Sequence, residues 1–240
     1  MLPVFRGGGR RVTGLRAGIA AAALLLAAAG GDEFGANYDR LFAAHDYGRL
    51  AASLKQGMET GATALPTLGW EQHRVAAGGS VFVSAQYALD LLATARGGTD
   101  PARDVKTRES AVVLGLYTMA VIETDGMKCA DPAAVVARRR QFAVILTPVW
   151  AELRKLPDES VAAALTQALV QEQAKAATRA PDDYLCRGRT ADIPDVLAEG
   201  LAEHAPRYAA GVAWIAKAES ARKLLPSLLS EFAAKLKSGT

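Results

Sequence analysis

The stretch AVVLGLYTMAVI, Ala111 to Ile122, carries no charge and no proline. A helix apolar on every side has to be buried on every side, so this stretch is expected to be the central helix of the molecule. Twelve residues are too few to cross a bilayer, which takes about 20. Glu109 and Glu123 flank the run. They share a helix face, but about 21 Å of helix separates them. They therefore mark the ends of a buried helix and cannot form a catalytic carboxylate pair.

Working outward, helical signals recur on both sides. Asp100-Pro101 and Asp131-Pro132 each place a capping side chain before a proline at the first helical position. Upstream, Asn37–Ala44 and Tyr47–Gln56 carry apolar residues at helical spacing, with a break near His45-Asp46. Gly57, Gly61 and Pro66 predict a loop to about Gly69. Trp70 to Thr94 reads as one long helix weakened at Gly78-Gly79. Downstream, one helix is expected from Asp131 to about Leu156, kinked at Pro148, and another from Pro157 to about Thr178. Ala180–Gly188 reads as a loop, Pro194–His204 as a helix, and Tyr208–Leu236 as a last helix kinked near Pro226. The segment Phe42–Leu54 is similar to a tetratricopeptide helix turn through Asp46-Tyr47 and Leu50. No repeat follows it, so an ordinary helical hairpin is the simpler reading.

Composition agrees. Aromatic residues make up 6% of the 240-residue chain and apolar residues 50%. The expected fold is all-α: a single domain over residues 37–240, an irregular bundle of about seven helices with one disulfide, after a linker at 30–36.

The N-terminus has a separate character. Arg6, Arg10, Arg11 and Arg16 precede an alanine-leucine run ending at Ala27-Ala28-Ala29, the pattern of a secretory signal peptide over residues 1–29. Arg10-Arg11 also raises twin-arginine export, but Val12-Thr13-Gly14 fit that signal poorly. The run is too short for a comfortable membrane span, and no transmembrane span is expected after its removal. The whole chain has a formal charge of +3. Residues 1–29 hold four of its 28 basic residues and none of its 25 acidic ones, so 24 basic residues then face 25 acidic ones, a net of −1. Global basicity therefore gives no argument for a nucleic-acid partner. The expected location is the periplasm or the exterior of a bacterial cell.

Two cysteines remain, Cys129 and Cys186. An even pair in an exported chain reads as a disulfide, and the loop it closes is worth about 4 kcal/mol. A reactive thiol or a metal pair are the competing readings. The flanking segments, DGMKCAD from Asp125 to Asp131 and YLCRG from Tyr184 to Gly188, resemble paired motifs in a group of uncharacterised bacterial exported helical proteins. The resemblance implies the disulfide and the exported compartment, and carries no activity or catalytic residue.

No catalytic motif stands out. GxSxG, SxxK and HExxH are missing, and Gly7-Gly8-Gly9 belongs to the export signal. His45, His73 and His204 lack a second ligand at one-face spacing, and Glu71 and His73 diverge, so no metal or cofactor is implied. Arg138-Arg139-Arg140 fans over about 200° of helix. Arg139 falls on the stripe of Val135 and Phe142, where it has to snorkel or pair with a carboxylate, so a partly buried, structural salt bridge is expected, with an anion or phosphate site as the alternative. If the cysteines join, Glu123, Asp125, Lys128 and Asp131 meet Asp182, Asp183, Arg187 and Arg189. The expected role is binding or scaffolding, with an envelope protein or small ligand as partner. A hydrolase-type enzyme with a site assembled across helices near the cysteines is the alternative. Intact-mass analysis of the native protein is expected to show a chain beginning near Gly30, and retention of Met1–Ala29 would refute the export reading.

Overall fold

The computed structural model describes residues 32–177, 179–187 and 213–239. Among them are ten α-helices and no strand: α1 (Asp32–Ala43), α2 (Tyr47–Met58), α3 (Gly61–Ala76), α4 (Val81–Arg96), α5 (Pro101–Asp125), α6 (Pro132–Ile145), α7 (Thr147–Lys155), α8 (Asp158–Lys175), α9 (Asp183–Cys186) and α10 (Ala213–Ser238). The export signal at 1–29 and the helix expected at 194–204 lie outside the described residues.

The apolar run forms the second half of α5, and every residue from Ala111 to Ile122 is buried. α4, α7, α8 and α10 surround it. α4 lies closest along its length, and Ser84 and Thr118 join the two helices through a hydroxyl–hydroxyl hydrogen bond of 2.8 Å. Against α7 the approach depends on Gly115. A Cβ there would stand 3.0 Å from both the Trp150 ring and a Val149 methyl. The Trp150 ring also meets α10, lying edge to face with Phe232 at 5.3 Å.

The all-α fold and the disulfide are as expected, but the expected number of helices, about seven, is too low. Three segments read as continuous or as loops are divided differently. The long helix expected over Trp70–Thr94 is two helices. Gly78 adopts φ +79°, a conformation that ends α3, and the Ser80 hydroxyl caps α4 by accepting from the Phe82 amide. The helix expected over Asp131–Leu156 is α6 and α7. The chain breaks at Leu146, and Pro148 sits in the first turn of α7, where its missing N–H costs nothing. The loop expected around Pro66 is helical. Pro66 lies within α3, but its side of the helix and Ala62 face solvent, so water can satisfy the freed carbonyl. Two smaller differences follow. α1 begins at Asp32, inside the stretch read as a linker, and α9 is a single turn within the loop that carries Cys186.

The N-terminal hairpin, α1 and α2, turns through His45 at φ +55°. The Tyr38 hydroxyl meets the Thr67 hydroxyl at 2.9 Å, and Trp70 Nε1 donates to Asp39 at 2.6 Å, which binds α1 to α3. Both expected aspartate caps are formed: Asp100 accepts from the Ala102 and Arg103 amides, and Asp131 from those of Ala133 and Ala134.

Cys129 and Cys186 form the disulfide, closing a separation of 57 positions with Cα atoms 4.9 Å apart. It joins the short 3-10 turn after α5, Gly126–Lys128, to α9. Replacing both cysteines by alanine is expected to lower stability by about 2–4 kcal/mol, measured by chemical denaturation, and to quicken proteolytic cleavage near α9.

Candidate functional site

The C-terminal end of α5 carries charge into the interior. Asp125 is fully buried, and Glu172 on α8 and Lys128 are nearly so. Arg179 joins them. Its Nε and one terminal nitrogen donate to the two Asp125 oxygens at 2.5 and 3.1 Å, and that terminal nitrogen also reaches Glu172 at 2.7 Å. Lys128 Nζ lies 3.1 Å from Asp125 and donates to the Arg179 carbonyl, also at 3.1 Å. Arg222 on α10 donates to Glu172 at 3.1 Å. Burial alone would make the Arg179 guanidinium easier to deprotonate, but its bonds to Asp125 and Glu172 reverse this and hold its pKa above the ordinary value.

On the other side of the disulfide, Asp182 is buried and accepts from the Ser80 hydroxyl and from the Val81 and Leu185 amides, at 2.9, 2.6 and 3.1 Å. Burial raises its pKa, and these donors work against the rise. Arg138 has 0% exposure. It donates to the Gln141 side chain at 2.7 Å and to the Arg187 carbonyl at 3.1 Å, and its guanidinium lies 4.4 Å from the centre of the Tyr184 ring. Tyr184 in turn packs against Tyr47, Phe82 and Phe142 at 5.0 to 5.8 Å. Burial depresses the Arg138 pKa, and Tyr184 and Asp182 partly restore it.

The expectation for the arginine triplet is therefore corrected. Arg138 is the interior residue, while Arg139 is 46% exposed and pairs at 3.0 Å with Glu123. The inward stripe of α6 runs through Ala134, Arg138, Gln141 and Phe142. Phe142 of the expected stripe is buried and Val135 half-buried, but the stripe turns inward through Arg138 rather than Arg139.

Of the eight polar groups expected to converge, Asp125, Lys128, Asp182 and Arg187 are interior. Asp131 serves as the α6 cap, Asp183 binds His45 at 2.9 Å, and Glu123 faces Arg139. Arg189 lies outside the described residues. No cluster of three or more potential metal ligands occurs among the described residues.

Two features were not read from the sequence. Glu71 and Asp90 form a buried carboxyl pair between α3 and α4. The spacing Thr67, Glu71, Val75 was the available signal, because it puts Glu71 in line with two buried neighbours. The second is an open groove of about 430 Å³ between α10 and the turn after α5. Met127, Ala221, Leu224 and Leu228 line it together with Glu123, Lys217 and Ser220. Leu224 is 59% exposed and Leu228 41%. Residues 217, 221, 224 and 228 share one face of α10, beside the buried face of Ala218, Leu225 and Leu229.

No family model matches the chain, and no curated protein or solved structure matches it either. Among the described residues no helix is long and apolar enough to cross a membrane.

The network separates structural from surface arginines. Arg179→Met is expected to cost about 3–5 kcal/mol, because it strands Asp125 and Glu172 in the interior. Arg139→Ala is expected to cost less than about 1 kcal/mol. Urea denaturation of the two variants side by side checks this ordering.

Proposed function

We propose that the chain is an exported binding or scaffolding protein of the bacterial envelope that contacts its partner through the α10 groove. The observation that carries this reading is the exposed apolar lining of Met127, Leu224 and Leu228. Side chains of this kind gain from being covered, and a contiguous apolar surface edged by charge is a common property of protein contact sites. The partner is an envelope protein that presents an apolar segment to the groove. Export is supported by the N-terminal pattern and by the disulfide, since such bonds persist in oxidising compartments.

The hydrolase alternative needs titratable groups open to a substrate beside the disulfide. Asp125, Lys128 and Arg179 there are buried and bonded to one another, an arrangement that holds helices together. The geometry therefore favours binding over hydrolysis.

The test is cross-linking in the native envelope with wild-type protein and with a Leu224→Glu, Leu228→Glu double variant, followed by mass spectrometry. Both residues are exposed, so the melting temperature is expected to stay within a few degrees. A partner captured by wild type is expected to fall at least tenfold with the variant. Equal capture by both proteins would refute the groove as the contact surface.

A further inference from the structure

The Glu71–Asp90 pair takes no part in the groove or in the network around the disulfide. Glu71 has 0% exposure, and neither of its carboxyl oxygens receives a hydrogen bond from an N–H or hydroxyl donor. Its partner is Asp90, which is 8% exposed and accepts from Gln86 Nε2 at 3.0 Å. Two carboxylates in this position cannot both be ionised without placing adjacent like charges in a medium of low dielectric. A proton between them changes the contact from repulsion to a hydrogen bond.

The surroundings hold that proton. From α4, Tyr87 faces Glu71, and burial first and the Glu71 charge second push its phenol up to about 12. From α1, Tyr38 faces both carboxyls, and its phenol is raised by burial and by their charges. α2 contributes the Ser53 carbonyl, 3.5 Å from the Tyr38 hydroxyl. One turn along α3, Arg74 is engaged with Asp39. Burial, reinforced by Asp90, raises the Glu71 pKa well above its ordinary value, and burial raises that of Asp90.

We propose that the α3–α4 joint is a proton-dependent clamp: a proton held between Glu71 and Asp90 keeps α1–α3 seated on α4, and its loss loosens the joint and uncovers the apolar face of α3. Beside Glu71 that face carries Leu68 and Val75. Because the folded-state values are raised, the stabilisation is complete below the ordinary glutamate value near 4.5. It is lost as pH climbs through the raised folded value.

The experiment compares the disulfide-intact protein with Glu71→Gln and Asp90→Asn by urea unfolding between pH 4.5 and 9, with fluorescence of the apolar dye ANS followed over the same range. Either amide can donate to the remaining carboxylate at any pH. The unfolding constant of wild type relative to Glu71→Gln is expected to rise with pH from about 4.5, approaching about tenfold per pH unit until the raised folded-state value is reached and levelling off above it. Dye fluorescence is expected to rise in wild type alone. If Glu71→Gln does not fold, Asp90→Asn carries the same comparison. Parallel stability curves would overturn the clamp. A pH-dependent gap without dye binding would overturn the loosening of the joint.

Discussion

A helix with no polar side has to be enclosed, and the rest of this molecule is arranged around that constraint. From Ala111 to Ile122 every side chain of α5 is covered, which takes contact from α4, α7, α8 and α10. α4, packed between α5 and α3, has no exposed residue from Val81 to Leu92, whereas α7, α8 and α10 keep exposed positions. Gly115 lets α7 approach closely enough for Val149 and Trp150 to close the remaining side. The buried helix therefore sets where its neighbours lie, and the connections between them follow.

Enclosure has a cost at the helix end. Asp125 terminates α5 inside the protein, where an ionised carboxylate is unfavourable without partners. Arg179 and Lys128 answer it, and Glu172 and Arg222 extend the network to α8 and α10. The charges thus join the end of α5 to two of the helices that cover it, α8 and α10. Apolar burial and ion pairing therefore act together on α8 and α10, and removing a cation from the network leaves a buried charge uncompensated.

How far the sequence could be read depended on what each local pattern encodes. The central helix was legible because its evidence, the lack of charge over Ala111–Ile122, is local. The aspartate-proline caps were legible for the same reason. The disulfide was legible as the pairing of the two cysteines. The division at Gly78 depends on a left-handed backbone angle, and a glycine pair can equally sit inside a weakened helix. The inward face of α6 was misread because the expected stripe was set by Val135 and Phe142, while the interior position that decides the arginine is Arg138, held by its polar contacts with the Arg187 carbonyl and the Tyr184 ring. The groove was illegible because Met127 and Leu224 come together only when α10 packs beside the turn after α5.

The two hydrogen bonds from Lys128 and Arg138 bear on how the cysteines meet. Lys128 adjoins Cys129 and donates to the Arg179 carbonyl, and Arg138 donates to the carbonyl of Arg187, which adjoins Cys186. Each bond crosses from one half of the disulfide to the other without using sulfur. In the reduced chain these contacts keep the two thiols at a high effective concentration once the helices have docked. By thermodynamic linkage, the factor by which the fold favours sulfur–sulfur pairing is the factor by which that pairing favours the fold. The two buried cations therefore help to set the reduction potential of a bond in which they take no part.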